Sequence, residues 1–213
     1  YYACYIFLME NKVGIYKTVS RASGGILYKD RQSKFYAHVF PIEDEKGIKT
    51  IIENLRKKYP TANHFCFAWR LGIDKQKYRA NDDGDPNNSA GMPIYGQIKS
   101  FGLTNVLIVV ARVFGGTKLG VGGLITAYRT AAQQALESSA IIEKWVKVKY
   151  ELGFDYPLLS KVMRLIKQNS IEIIRQDMSM TCTIAIAVLL KDTVQCENMF
   201  KGVYGVSITK LEG

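Results

Sequence analysis

The sequence predicts an α+β protein of two domains. Three observations carry that prediction. Strand-like runs bracket one helical pattern early in the chain, residues 106–110 are apolar at every position, and the residues after 141 follow the order β-α-β-β-α-β. A chain of 213 residues with 47% hydrophobic and 23% charged side chains and only 5 prolines has a globular composition, which excludes disordered and fibrous classes.

In the first domain, read as residues 10–140, strands are predicted at 16–20, 25–29 and 34–42, the last two joined by the turn-forming Asp30-Arg31-Gln32. A helix follows. Glu43, Asp44 and Glu45 suit its positive end, Ile48, Ile51, Ile52, Leu55 and Tyr59 recur at helical spacing, and Arg56-Lys57-Lys58 suit its negative end. A strand at 64–71 and a polar loop at 81–91 come next. The run 105–114, apolar on both faces, reads as a central strand, and a glycine-rich turn leads from it into a helix at about 121–138. The second domain, residues 141–213, has strands near 145–152, 171–177, 180–190 and 205–211. Its first helix opens at Asp155 with Pro157 in the first turn and a stripe of Leu159, Val162, Met163 and Ile166; its second spans 194–201.

The charge is +10 and unevenly placed: residues 1–140 hold 19 Lys and Arg against 11 Asp and Glu, residues 141–213 hold 10 against 8. A basic first domain points to phosphate polymers. Cys4, Cys66, Cys182 and Cys196 are scattered, signalling neither a disulfide framework nor a zinc site. The longest uncharged apolar run, residues 1–9, is too short to span a bilayer, so the expectation is a cytoplasmic protein without membrane partners. Met9 reads as a natural start, which leaves residues 1–8 outside the fold argument.

Alternation along strands sorts candidate functional residues. Phe35, Ala37 and Val39 share one side of their strand, with Lys34, Tyr36, His38 and Phe40 on the other; Phe65, Phe67, Trp69 and Leu71 oppose His64, Cys66, Ala68 and Arg70. If the polar sides coincide, one open sheet face gathers Lys34, Tyr36, His38, His64 and Arg70, a setting for single-stranded nucleic acid with Tyr36 as the stacking ring. A solvated antiparallel face is the plainer explanation. His64 with Cys66 suggests a nucleophile pair, but a small buried thiol explains the cysteine more simply.

The loop Asn81-Asp82-Asp83-Gly84-Asp85-Pro86 places three carboxylates, Asp82, Asp83 and Asp85, where they could ligate magnesium or calcium; the structural alternative is that its Asp and Asn side chains cap nearby amides and that Asp82 or Asp83 pairs with Arg79 or Arg112. Arg112, Gly115, Gly116, Lys118, Gly120, Gly122 and Gly123 run from the central strand into a helix, combining free amides, a helix N-terminus and cations into an anion site. Tight helix packing is the competing reason for the glycines. The spacing matches neither the P-loop nor the dinucleotide fingerprint.

Ser33-Lys34-Phe35, His64-Phe65-Cys66-Phe67-Ala68, Asp82-Asp83-Gly84-Asp85-Pro86 with Ala90-Gly91, and the stretch from Arg112 through Tyr128 together resemble the IMPACT family, including its bacterial YigZ-like members. The family usually carries Glu, Ser, Gly and Thr where this chain has Asp85, Asn87, Asn88 and Ser89, and Tyr in place of Val113. The resemblance implies a first domain folded like the second domain of a small-subunit ribosomal protein, and a second domain with a ferredoxin-like βαββαβ fold. It also implies a link to translation control, proposed nucleic-acid binding, no firmly attached enzymatic activity and no cofactor.

The expected function is therefore non-enzymatic binding of RNA or a ribosome, with Lys34, His38, His64, Arg70, Arg79, Arg112, Lys118 and Arg129 facing phosphate. Two alternatives stand beside it: an enzyme acting on a phosphorylated small molecule through the glycine and acidic loops, and a protein-interaction module.

Overall fold

The computed structural model describes residues 14–73, 76–179 and 181–211. The stretch before Met9 lies outside the described residues. Two compact units form, one spanning Tyr16–Lys144, the other running from Trp145 onward and including Gly14 and Ile15.

The first unit holds, apart from the boundary residues Ile15 and Trp145, β1 (Ile15–Val19), β2 (Ser23–Asp30), β3 (Ser33–Pro41), α1 (Ile48–Lys58), β4 (His64–Leu71), β5 (Lys77–Asn81), α2 (Gly91–Ser100), β6 (Val106–Val113), α3 (Gly120–Glu137) and β7 (Ile141–Trp145). β1 pairs with β7. The other strands form a five-stranded sheet in the order β2-β3-β6-β4-β5, antiparallel throughout. The apolar run predicted as central is β6, buried at every position except Val113. β2 and β3 meet at Arg31 and Gln32, both at positive φ, as a two-residue hairpin turn requires.

Helices cover both faces of the sheet. On one, α2 and α3 bury Phe35, Ala37, Val39, Cys66, Ala68, Ile108 and Val110. On the other, α1 covers Phe65, Trp69, Leu107, Val109 and Ala111. α1 begins at Ile48, with no acid in its first turn, so residues 43–45 precede the helix they were expected to open. Asp44 instead accepts a hydrogen bond from the Lys46 amide at 2.9 Å. β5 and α2 have no counterpart in the sequence reading. β5 is an edge strand of polar residues, and α2 carries two glycines and a proline, which obscure helical periodicity.

The second unit holds β8 (Lys147–Asp155), α4 (Leu159–Gln168), β9 (Glu172–Met178), β10 (Thr181–Leu189), α5 (Thr193–Lys201) and β11 (Val206–Lys210). Its antiparallel sheet runs β11-β8-β10-β9, the ferredoxin-like order. Tyr150, Leu152, Phe154, Ile184 and Ile186 face Val162, Ile166 and Phe200 across its core. A 3₁₀ turn, Tyr156–Leu158, lies between Asp155 and α4, so the helix proper starts one turn later than Asp155 suggests. No helix among the described residues is long and apolar enough to cross a membrane.

Candidate nucleic-acid interface

Cross-strand register decides which polar side chains meet. Phe35 of β3 and His64 of β4 both lie opposite Arg112 of β6, while Tyr36 and Phe65 both lie opposite Ala111. Residues directly opposite share a face, so His64 and Arg112 belong with Phe35, and Tyr36 and His38 belong with Phe65. The single open basic face expected from the sequence is therefore corrected: its two halves lie on opposite sides of the sheet, and both sides are covered.

Tyr36 and His38 sit under α1. The Tyr36 ring stacks on Tyr59 with centroids 4.6 Å apart. His38 is 5% exposed and its Nε2 lies 2.9 Å from the Tyr59 hydroxyl. Burial, reinforced by Lys58, lowers the His38 pKa to about 4, so the ring is neutral at physiological pH and offers no charge to a phosphate. Arg112, at 6% exposure, is also withdrawn from solvent, paired with Asp85. Arg70 lies at the far end of the sheet, opposite Val106, donating to the Leu103 carbonyl at 3.2 Å. Arg79 is exposed on the edge strand β5, and Arg129 is exposed on the body of α3.

The remaining motifs do converge. The start of β3, the start of β4 and the end of β6 occupy one end of the sheet, because β6 runs antiparallel to both neighbours. Chain reversals place the Arg31-Gln32 turn, the C-terminal end of α1, the acidic loop and the glycine loop there. Contacts tie them together. The Gly115 amide donates to Ser33 Oγ at 3.1 Å, and the Asn63 amide donates to the Arg112 carbonyl at 2.9 Å. A Cβ on Gly115 would stand 2.1 Å from the Gln32 carbonyl carbon, so only glycine lets the two turns touch.

Each carboxylate of the acidic loop is occupied. Asp82 accepts from the amides of Asn88, Ala90 and Gly91 at 2.8–2.9 Å, capping the entrance to α2. Asp83 accepts from Arg56 Nη2 and the Phe65 amide, both at 2.7 Å. Asp85 is buried, taking Arg112 on one oxygen and the Tyr128 hydroxyl on the other. The pairing expected from the sequence, Asp82 or Asp83 with Arg79 or Arg112, is therefore corrected: Arg112 takes Asp85 and Asp83 takes Arg56. Among the described residues no group of three or more His, Cys, Asp or Glu is arranged to hold a metal ion.

Cys66 faces this cluster, with Sγ 2.9 Å from the Asp82 carbonyl and 3.2 Å from the Tyr128 hydroxyl. Burial pushes its pKa well up, as do the neighbouring carboxylates, so it stays a thiol. His64 Nδ1 donates to the Asp83 carbonyl at 2.7 Å rather than engaging Cys66. That geometry leaves no activated nucleophile.

Around this neutralised centre stand exposed cations. Arg31, Lys34, Lys57, Lys58 and Lys118 form no ion pair with any described residue. Gly116 and Gly120 adopt φ of 89° and 73° with open space where a Cβ would sit. α3, with Gly122 and Gly123 in its first turn, has no side-chain N-cap and no acid there, which leaves its first amides free. Phe114 is 43% exposed beside them. Arg31, Lys57, Lys58 and Phe114 were absent from the sequence-derived set. The sequence explains the α1 lysines by the helix dipole alone, whereas the contact of Arg56 with Asp83 brings the C-terminal turn of α1 to this end of the sheet.

The Impact N-terminal domain family matches residues 31–136. IMPACT family member YvyE of Bacillus subtilis (strain 168) is 31% identical over 138 residues, covering 65% of this chain and 64% of that protein. IMPACT family member YigZ of Escherichia coli (strain K12) is 32% identical over 149 residues, covering 69% and 73%. A solved crystal structure of a hypothetical protein is similar over 94% of this chain and 98% of its own, with a TM-score of 0.76 and 25% identity. The motifs that build the sheet-end site fall inside the matched region, and the chain belongs to the IMPACT family.

Proposed function

We propose that the protein binds RNA through the basic end of its first domain and works in association with the translation machinery. The observation that carries this reading is the gathering of unpaired exposed cations around a glycine loop whose nearby carboxylates are already neutralised. Lys34, Lys57, Lys58 and Lys118 meet phosphates without competition, and the free amides at the start of α3 add short-range donors. The +10 charge supplies long-range attraction. Family membership supports translation as the setting, since the motif resemblance implies such a link. The site acts by binding: the Cys66 thiol is protonated and each acidic-loop carboxylate has a partner.

Charge reversal tests the reading. The doubly substituted Lys34→Glu/Lys118→Glu protein should fold normally and lose about ten-fold or more in affinity for RNA, and should leave the ribosomal fractions of a sucrose gradient. Unchanged affinity and sedimentation would remove the sheet end as the binding surface.

A further inference from the structure

Tyr78 of β5 and Tyr95 of α2 stack with ring centroids 4.2 Å apart and planes 13° from parallel. Tyr78 lies opposite Arg70, so it projects toward the α2 side of the sheet, where Tyr95 covers one of its ring faces. The residue nevertheless remains 54% exposed. β5 is the edge strand of the sheet among the described residues, which leaves the other face of the Tyr78 ring open.

Its surroundings are cationic. Lys99, on the side of the ring, has its Nζ 6.0 Å from the Tyr95 ring centroid, while the exposed Lys77 and Arg79, opposite Leu71 and Trp69, leave the same edge strand toward the other side of the sheet. No ion pair with a described residue occupies any of the three. α2 contains no Asp or Glu, and the one acidic residue of α3 is Glu137 at its last position. An open ring with Lys99 on its own side and Lys77 and Arg79 across the strand edge matches what a nucleotide presents: a flat π-face joined to a negative backbone.

We propose that Tyr78, backed by Tyr95, is a stacking platform for an unpaired base of single-stranded RNA, with Lys99 taking the adjacent phosphate and Lys77 and Arg79, across the strand edge, adding attraction for the continuing backbone. This rests on the RNA-binding reading above and narrows it to unpaired RNA. The ring replaces Tyr36, which is already stacked within the core. Duplex RNA keeps its bases inside the helix and gains nothing from the platform.

The test compares the full-length protein and its variants, by fluorescence anisotropy at fixed salt, on a short oligoadenylate and on an abasic ribose-phosphate strand of equal length. The oligoadenylate should bind about ten-fold or more tightly than the abasic strand. Tyr78→Ala should erase that difference while leaving affinity for the abasic strand unchanged, and Tyr78→Phe should restore it, because stacking needs the ring and not the hydroxyl. Steeply salt-dependent binding of both strands, equal in affinity and indifferent to Tyr78→Ala, would overturn the platform and leave the RNA-binding reading standing. Absence of binding to either strand at low salt would overturn both.

Discussion

Arg112, the last buried residue of β6, closes on Asp85 of the acidic loop in an ion pair that is almost wholly buried, with Tyr128 of α3 donating to the other carboxylate oxygen. This pair pins the acidic loop to the end of the sheet and neutralises both charges beneath the exposed cations. Breaking it from one side leaves an uncompensated buried charge. Asp85→Ala or Arg112→Ala should each cost about 3–5 kcal/mol in urea unfolding, and the double substitution Asp85→Ala/Arg112→Met should recover part of the loss. Single substitutions costing under about 1 kcal/mol would contradict the structural role assigned to the pair.

Cys66 should be inert in the folded protein. Its burial and the carboxylates around it hold the thiol protonated, so alkylation at pH 8 followed by peptide mass mapping should leave Cys66 unmodified until denaturant is added. Rapid native labelling would revive the nucleophile reading.

The fold was largely legible because its signals are local: the all-apolar β6, the amphipathic α1 and the strand alternation each depend on a few neighbouring residues. The assembly of the site was not. Alternation separates the two sides of a strand but does not say which side of the next strand it joins; that depends on register against β6, which sets Tyr36 with Phe65 and His64 with Phe35. His38 and Arg112 read as surface residues because their polarity gives no hint of Tyr59 and Asp85 waiting for them in the folded chain. The stacking ring was equally hidden, since Tyr78 gains its partner from a helix whose glycines and proline break the expected pattern.

His38 makes stability depend on pH. Its folded pKa, about 4, lies below the ordinary value of 6.5, so between those values the unfolded chain binds a proton that the folded protein refuses. Stability should therefore fall as pH drops from about 6.5 to 4, with a slope of at most about 1.4 kcal/mol per pH unit from this one site. The His38→Gln protein should show a shallower slope over that window in urea titrations. Identical slopes in the two proteins would show that the buried ring does not resist protonation.

Two glycines of the loop should respond in opposite directions. A Cβ on Gly115 would collide with the Gln32-Ser33 backbone, and Gly115→Ala should cost about 1–3 kcal/mol or more. Gly122, at the start of α3, has open space where a Cβ would go, and Gly122→Ala should stabilise the protein by about 0.5–1 kcal/mol by restricting the unfolded chain. Thermal unfolding of the two variants separates close packing from free backbone. Equal shifts would undo the distinction.

The central claim is that exposed cations at the sheet end bind phosphates of RNA, and its most direct measurement is the salt dependence of that binding. Filter-binding titrations of single-stranded RNA across a series of salt concentrations should give a straight line of log K against log salt, steeper than about −2, as expected when several counterions are released. Lys34→Glu/Lys118→Glu should flatten that line. A flat dependence in the unmodified protein, or no RNA retained at low salt, would contradict the account.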